Sequence, residues 1–193
     1  PCTGQVLVQG RPLRGGSPRE AVAAGIAYLT EDRRQGLVMS LGVGPNVTLA
    51  SLGRVSRGGV LSLAAERRAA EQAVRDLRIV TPGIGQRVLY LSGGNQQKVL
   101  LGRWLASRAS VFLFDEPTRG IDVGAKAEVH ALIRELARAG KGILFISSEL
   151  PEVLALAHRV LVMARGRIVA AFPGGRVTPE AVMQRAAGGE EAG

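Results

Sequence analysis

Residues 89–122, LYLSGGNQQKVLLGRWLASRASVFLFDEPTRGID, constrain the fold more than any other stretch of this chain. The apolar period changes within it. In NQQKVLLGRWLAS a helical repeat puts Val99, Leu100, Trp104 and Leu105 on one face. VFLF then runs apolar without a break, as a strand does in a parallel sheet covered on both sides. Asp115 and Glu116 end that run, and Pro117 stops it.

The alternation extends in both directions. QVLVQ (5–9) reads as a short strand running into a turn at Gly10. SPREAVAAG (17–25) has a Ser N-cap, Pro in its first turn and a closing glycine, which predicts a short helix. IAYLT (26–30) reads as a buried strand. Glu31 to about Gly59 is rich in Gly and Ser with no sustained period, so it reads as loop with short helical pieces. SLAAERRAAEQAVRDLRI (62–79) is an amphipathic helix capped by Ser62. Beyond the acids come a helix over 122–140, a second apolar strand GILFIS, a helix LPEVLALA, two strands joined through Arg165-Gly166, and a short helix from Thr178 fading into GGEEAG. Strands alternating with helices predict an α/β domain built on a mainly parallel sheet.

With 193 residues the chain is long enough for one domain with a sizeable core, or for most of one. The single Cys2 excludes an internal disulfide framework and fits a reducing compartment. No apolar run reaches the ~18 residues of a membrane helix, so work at a membrane would need another anchor. The net charge of +9 raises nucleic acid as a partner. Its arginines are scattered rather than run into a block, and aromatics for base stacking are sparse. Solvated surface charge is the reading adopted, with no nucleic-acid partner.

Two features carry chemistry. Asp115 and Glu116 stand where a central strand leaves the sheet, the end at which open parallel sheets bind ligands. Asp115 can hold Mg²⁺, which takes one or two carboxylates plus phosphate oxygens, and Glu116 can polarise an attacking water. A polar turn after a strand would have the same composition. Upstream, Ser92 caps a helix whose first residues, Gly93 and Gly94, let an anion approach backbone amides at the positive end of the dipole. A flexible turn would also use these residues.

Taken together, the order of these features resembles the nucleotide-binding domain of ATP-binding cassette (ABC) transporters. LSGGN (Leu91 to Asn95) resembles the family signature, VFLFDEP its Walker B strand, and RGID (Arg119 to Asp122) the following loop, with Asp122 as its conversing carboxylate. YLTEDRRQGLV, LSGGNQQKVLLGRWL, DEPTRGIDVGAK and ISSELPEVL resemble the second cassette of tandem ATPases that drive import of simple sugars such as ribose or galactose. The resemblance covers nearly the whole chain. It implies a P-loop NTPase-like α/β fold with a helical subdomain, divided as core remnant (1–30), lid loop, helical subdomain and signature helix (31–108), Walker B core (109–175) and tail (176–193).

It also implies ATP and Mg²⁺ as ligands. Two cassettes would sandwich two ATP molecules head to tail. Ser92, Gly93, Gly94 and Asn95 would face the γ-phosphate of ATP carried by the other cassette, while Asp115 and Glu116 act at this chain's own site. The implied partners are a first cassette, membrane permease subunits and, indirectly, a periplasmic sugar-binding protein, at the cytoplasmic face of the inner membrane. The lid from Glu31 to about Gly59 would touch the permease.

Three departures accompany the resemblance. Glu31 stands where the family has a lid-loop glutamine, and Ser148 where it has a switch histidine. Both replacements are typical of second cassettes in the sugar-import subgroup, yet they weaken the case for vigorous hydrolysis. The third is that no G-x-x-x-x-G-K-[ST] loop occurs, and Gly15-Gly16 lacks the pattern that should follow. The chain starts at Pro1 just past where that loop would end, so it is expected to be part of a longer polypeptide, holding half of each ATP site and nearly inactive alone. His130 and His158 read as structural, with no metal site. A non-hydrolysing regulatory cassette and an ABC ATPase of DNA repair or translation are the competing readings. The second of these would need a long coiled-coil insertion or basic arm, and the helix at 62–79 is too short for the former.

Overall fold

A computed structural model of the protein describes residues 4–13, 17–175 and 177–187. Cys2, Gly15-Gly16 and the terminal GGEEAG lie outside the described residues. The strand expected over 5–9 is shorter, a hairpin of β1 (Leu7–Val8) and β2 (Arg11–Pro12). Gln9 (φ 51°) and Gly10 (φ 76°) make its turn. In α1 (Pro18–Ala23) the Ser17 hydroxyl accepts from the Glu20 amide at 3.4 Å.

Next come β3 (Ile26–Leu29), α2 (Arg33–Gly36), α3 (Val43–Thr48), α4 (Leu52–Val55) and a hairpin of β4 (Ser56–Arg57) and β5 (Val60–Leu61). Helix α5 (Leu63–Asp76) is capped by Ser62 as expected, its hydroxyl accepting from the Ala65 amide. Helix α6 (Gly93–Ala106) leads into β6 (Val111–Asp115), followed by α7 (Val123–Arg138), β7 (Gly142–Ile146) and α8 (Leu150–Leu156). The hairpin β8 (Arg159–Ala164) and β9 (Arg167–Pro173), turning at Arg165-Gly166, and α9 (Pro179–Ala187) complete the order.

The central sheet has the order β3-β6-β7 and is parallel throughout. Among the described residues the remaining strands pair only as antiparallel hairpins, so the parallel character belongs to this one sheet. Its register sets Ala27 beside Phe112 and Leu29 beside Phe114, and this face is buried. Each such phenylalanine stabilises the fold by about 1.5–3 kcal/mol. Coverage on both faces is not what the structure has. Tyr28, Leu144 and Ile146 point the other way and are 47%, 49% and 50% exposed. The apolar run VFLF cannot report this, since an apolar residue reads alike on a covered and an uncovered face.

The covered face packs on α6 and α7 through one apolar cluster that also takes in Val43 and Val47 of α3. A smaller cluster joins Val160, Val162 and Val182. Helix α5 lies close on α6: a Cβ at Gly102 would sit 3.3 Å from both Ala73 and Leu77. On α6, Val99, Leu100 and Leu101 are buried, and Trp104 and Leu105 pack partly against the cluster.

Arg103, 6% exposed, is buried without a carboxylate partner among the described residues. Its Nε donates to the Asn46 carbonyl and its Nη2 to the Asn46 side-chain oxygen, both at 2.8 Å, and its Nη1 donates to the Gly36 carbonyl. Asn46 in turn accepts from the Val38 amide and donates to the carbonyls of Val38, Leu41 and Gly42. Burial pushes the Arg103 guanidinium down to about 10. This network fastens residues 36–46 to α6.

Candidate functional site

The ends of β6 and β7 form the first half of the site. Asp115 is the last residue of β6, opposite Ile146 in the register. Glu116 follows with φ 48°, a left-handed conformation rare for a residue with a side chain. That strain is held from both sides: the Glu116 amide donates to the Ile146 carbonyl at 2.9 Å, and its carbonyl accepts from the Arg119 amide at 3.1 Å. Such outliers persist only where the surroundings over-determine them, and they concentrate at functional sites.

The Ser148 hydroxyl donates to Glu116 Oε2 at 3.2 Å, so these two sequence-selected residues meet. Asp115 is engaged from β3, where the Tyr28 hydroxyl donates to Oδ2 at 3.1 Å. Donating that bond, with burial and the carboxylate charge, holds the Tyr28 phenol above its ordinary value. Glu31 is exposed and ion-pairs with Arg119, which ties it to the loop after Glu116. No group of three His, Cys, Asp or Glu suited to a metal occurs among the described residues. Asp115 therefore offers a single carboxylate, which fits a hard cation completed by water and phosphate oxygens and not a protein-built cage.

The second half is the start of α6. Ser92 caps it, accepting from the Asn95 amide at 3.4 Å and the Asn95 side-chain amide at 2.9 Å. Asn95 Oδ1 accepts from the Val80 amide at 2.8 Å, which fixes the preceding connector. Side chains come close to both glycines. A Cβ on Gly93 would stand 2.8 Å from Arg33 Nη2, and one on Gly94 would stand 3.2 Å from the Ala125 Cβ. Asp122, 3.7 Å from that Gly94 position, caps α7 by accepting from the Ala125 amide at 2.9 Å. This amide, more than any neighbouring charge, holds its carboxyl below the usual range.

Among the described residues no hydrogen bond joins Ser92–Asn95 directly to Asp115 or Glu116. The link is indirect, through residues the sequence reasoning missed. Gln97 donates to the Pro117 carbonyl at 2.7 Å. Arg33 donates to Gln96 Oε1 at 3.2 Å and reaches the Arg119 carbonyl at 3.5 Å. One signal was present: Gln96 and Gln97 lie four residues before Leu100 and Leu101, on the buried side of α6. Glu152, 7% exposed, was also missed. It accepts from Thr118 and Ser147 and faces Lys126 and His130. His130 Nε2 stands 3.4 Å from Glu152 Oε1 without a hydrogen bond.

A cavity of about 380 Å³ opens elsewhere, rimmed by Arg54, Arg68 and Arg108 over Val55 and Leu105, and the candidate residues do not line it. No helix among the described residues is long and apolar enough to cross a membrane.

Residues 1–119 match the family described as ABC transporter. The chain is 50% identical over 192 residues to the ribose import ATP-binding protein RbsA 1 of Rubrobacter xylanophilus, which covers 98% of the chain and 38% of that relative. It is 47% identical over 193 residues to the ribose import ATP-binding protein RbsA of Pseudomonas putida, covering 100% and 38%. The chain therefore spans under two fifths of these curated relatives. A crystal structure of an ATP-binding cassette of an ABC transporter in its ADP conformation superposes with a TM-score of 0.70 at 22% identity, over 96% of this chain and 73% of that one. A dimeric cassette in a post-hydrolysis state, bound to ADP and Pi, gives 0.73 at 18% identity, over 89% and 73%. At such identities the superpositions speak for the fold: a P-loop NTPase-like α/β arrangement of parallel sheet and helices.

Proposed function

The chain belongs to the ABC transporter family, and we propose that it supplies ATP-binding and ATP-hydrolysing machinery that energises import of a simple sugar. The observation that carries this reading is the strained Glu116 at the end of the central strand, with Asp115 beside it and the Ser148 hydroxyl on its carboxylate. The sugar-import part rests on its similarity to ribose import ATP-binding proteins.

In this reading Glu116 orients a water and accepts its proton, a task that needs a carboxylate held in one geometry. Asp115 holds Mg²⁺, and Tyr28 keeps its carboxylate turned toward the open face of the sheet. When bound, Mg²⁺ with ATP supplies the charge neutralisation and the transferable phosphoryl group. Ser148 donates one neutral hydrogen bond at the switch position, and Glu31 marks the lid. The amides of Gly93 and Gly94, with Ser92 and Asn95, face the terminal phosphate of ATP carried by another cassette, and Asp122 lies at the contact between the two.

The open sheet face at Tyr28, Leu144 and Ile146 supports a further segment, with a phosphate-gripping loop, covering it in the working assembly. Residues 31–108 act as lid, helical subdomain and signature helix on a core of 1–30 and 109–175, with 176–193 as tail. The partners are a first cassette, membrane permease subunits and, through them, a periplasmic sugar-binding protein, with the chain peripheral to the cytoplasmic face of the membrane.

A second reading, a regulatory cassette that binds without hydrolysing, draws on Ser148, a weaker phosphate ligand than an imidazolium, and on Glu31, occupied by Arg119. Glu116→Gln in the full-length gene product separates the two. The hydrolytic reading expects ATPase turnover to fall at least about a hundredfold with ATP binding kept. Unchanged turnover would assign this half to regulation.

A further inference from the structure

Behind the Glu116–Ser148 pair lies a buried carboxylate that the reading above does not use. Glu152, on α8, is 7% exposed. Its Oε2 accepts from the Thr118 hydroxyl at 2.7 Å and from the Ser147 hydroxyl at 3.1 Å. Thr118 is two residues past Glu116, and Ser147 is the residue before Ser148. A single oxygen thus pins both strand-end loops, one on each side of the candidate pair. The other oxygen, Oε1, faces Lys126 Nζ and His130 Nε2, each at 3.4 Å, without a hydrogen bond to either. Lys126 also pairs with Glu149, on the loop that holds Ser148.

A buried carboxylate is costly, and its removal in favour of a packed apolar side chain is often neutral or stabilising. Its retention calls for something an apolar residue lacks. Here that is an acceptor for two hydroxyl donors at once, held against α7 by the Lys126 ammonium with the His130 imidazole beside it. Without it, the Ser147 hydroxyl and the buried Thr118 hydroxyl lose their acceptor. Among the described residues, the direct bonds left between the two loops would be the backbone bond from Glu116 to Ile146 and the Ser148–Glu116 bond itself.

We infer that Glu152 is a positioning residue that sets the separation of Glu116 and Ser148 by bridging Thr118 and Ser147. It touches neither the proposed water nor the phosphate; it acts through the loops. This rests on the proposed role of Glu116, and the test separates the two.

Glu152→Ala, Glu152→Gln and the double variant Thr118→Val with Ser147→Ala are compared with wild type in the full-length gene product. ATP turnover is measured together with hydrogen exchange over residues 116–119 and 146–149. Glu152→Ala and the double variant should lower kcat about tenfold or more, with KM for ATP within about twofold, the mark of misplacement and not of lost binding. Exchange should rise in those two loops while α3 and α5 keep wild-type protection. Glu152→Gln retains an acceptor for both hydroxyls and should stay within about threefold of wild type. Should Glu152→Ala not fold, the double variant and Glu152→Gln decide the matter. Unchanged kcat, or exchange that rises evenly through the whole chain, overturns the inference. If wild type has no ATPase, the proposed function fails, and loop-confined exchange alone decides the role of Glu152.

Discussion

The hydroxyl of Ser148 lies 3.2 Å from Glu116 Oε2 and joins the ends of two neighbouring parallel strands. Both groups are partly open to solvent, so the bond is worth about 0.5–1.5 kcal/mol. Ser148→Ala should lower stability in urea by no more than about that amount, while ATP turnover in the full-length gene product falls about two- to tenfold. A variant with wild-type turnover would remove Ser148 from the machinery.

Arg103 should be far less forgiving. Truncation leaves the Gly36 carbonyl and both Asn46 oxygens short of a donor inside the protein. Arg103→Ala should cost about 3–5 kcal/mol in chemical denaturation. Arg103→Lys recovers only part, since an ammonium lacks the planar fork that meets three acceptors. Combined with Asn46→Ala the losses should fall well short of additive, because both variants cut the same network. Additive costs would mean that the two residues do not share it.

The two faces of the central sheet should answer oppositely to substitution. Phe112→Ala, on the covered face, should cost about 3–5 kcal/mol. Leu144→Thr, at a half-exposed position, should change the stability of this 193-residue chain by less than about 1 kcal/mol and raise its solubility. Thermal melts and sedimentation of the two variants check this. An equal loss for Leu144→Thr would mean that its face is packed.

Acid should weaken the fold through Glu152. Burial raises its pKa, but the hydrogen bonds from Thr118 and Ser147 and the charges of His130 and Lys126 outweigh it, so the net shift is downward from 4.5. A lowered folded pKa means stability fully present above the unfolded value and lost as pH falls through the folded one. Unfolding free energy should therefore decline below about pH 4.5, and less steeply in Glu152→Gln. Parallel curves for the two proteins would contradict the shift.

Gly93→Ala tests the anion cradle apart from stability. The new methyl meets the end of the flexible Arg33 side chain, which can move aside. Stability should stay within about 1 kcal/mol, while ATP-dependent closure on a partner cassette is lost. Retained closure would show that no phosphate approaches this turn.

Much of this was legible in the sequence because local chemistry fixed it. Ser17, Ser62 and Ser92 all cap helices as their spacing required, and Arg165-Gly166 turns the last hairpin. Asp115, Glu116 and Ser148 gather at two adjacent strand ends, which follows once the strands are parallel neighbours. The remainder depended on tertiary contact. Nothing local distinguishes Leu144, left half-exposed, from Phe112, buried. Arg103 and Glu152 read as ordinary surface charges, because Arg103 meets its acceptors 57 or more residues away in the chain and Glu152 meets the buried Thr118 hydroxyl 34 residues away. Asp122 caps α7, which the motif did not signal.

The segment 31–46 is moored at its two ends by unlike means. At one end Glu31 pairs with Arg119 in the open; at the other Arg103 is sealed among neutral oxygens. Ionic strength reaches only the first, since mobile ions screen exposed pairs and not buried ones. In concentrated salt the outer mooring should slacken while the inner holds, leaving the segment to pivot about Gly36 and Asn46.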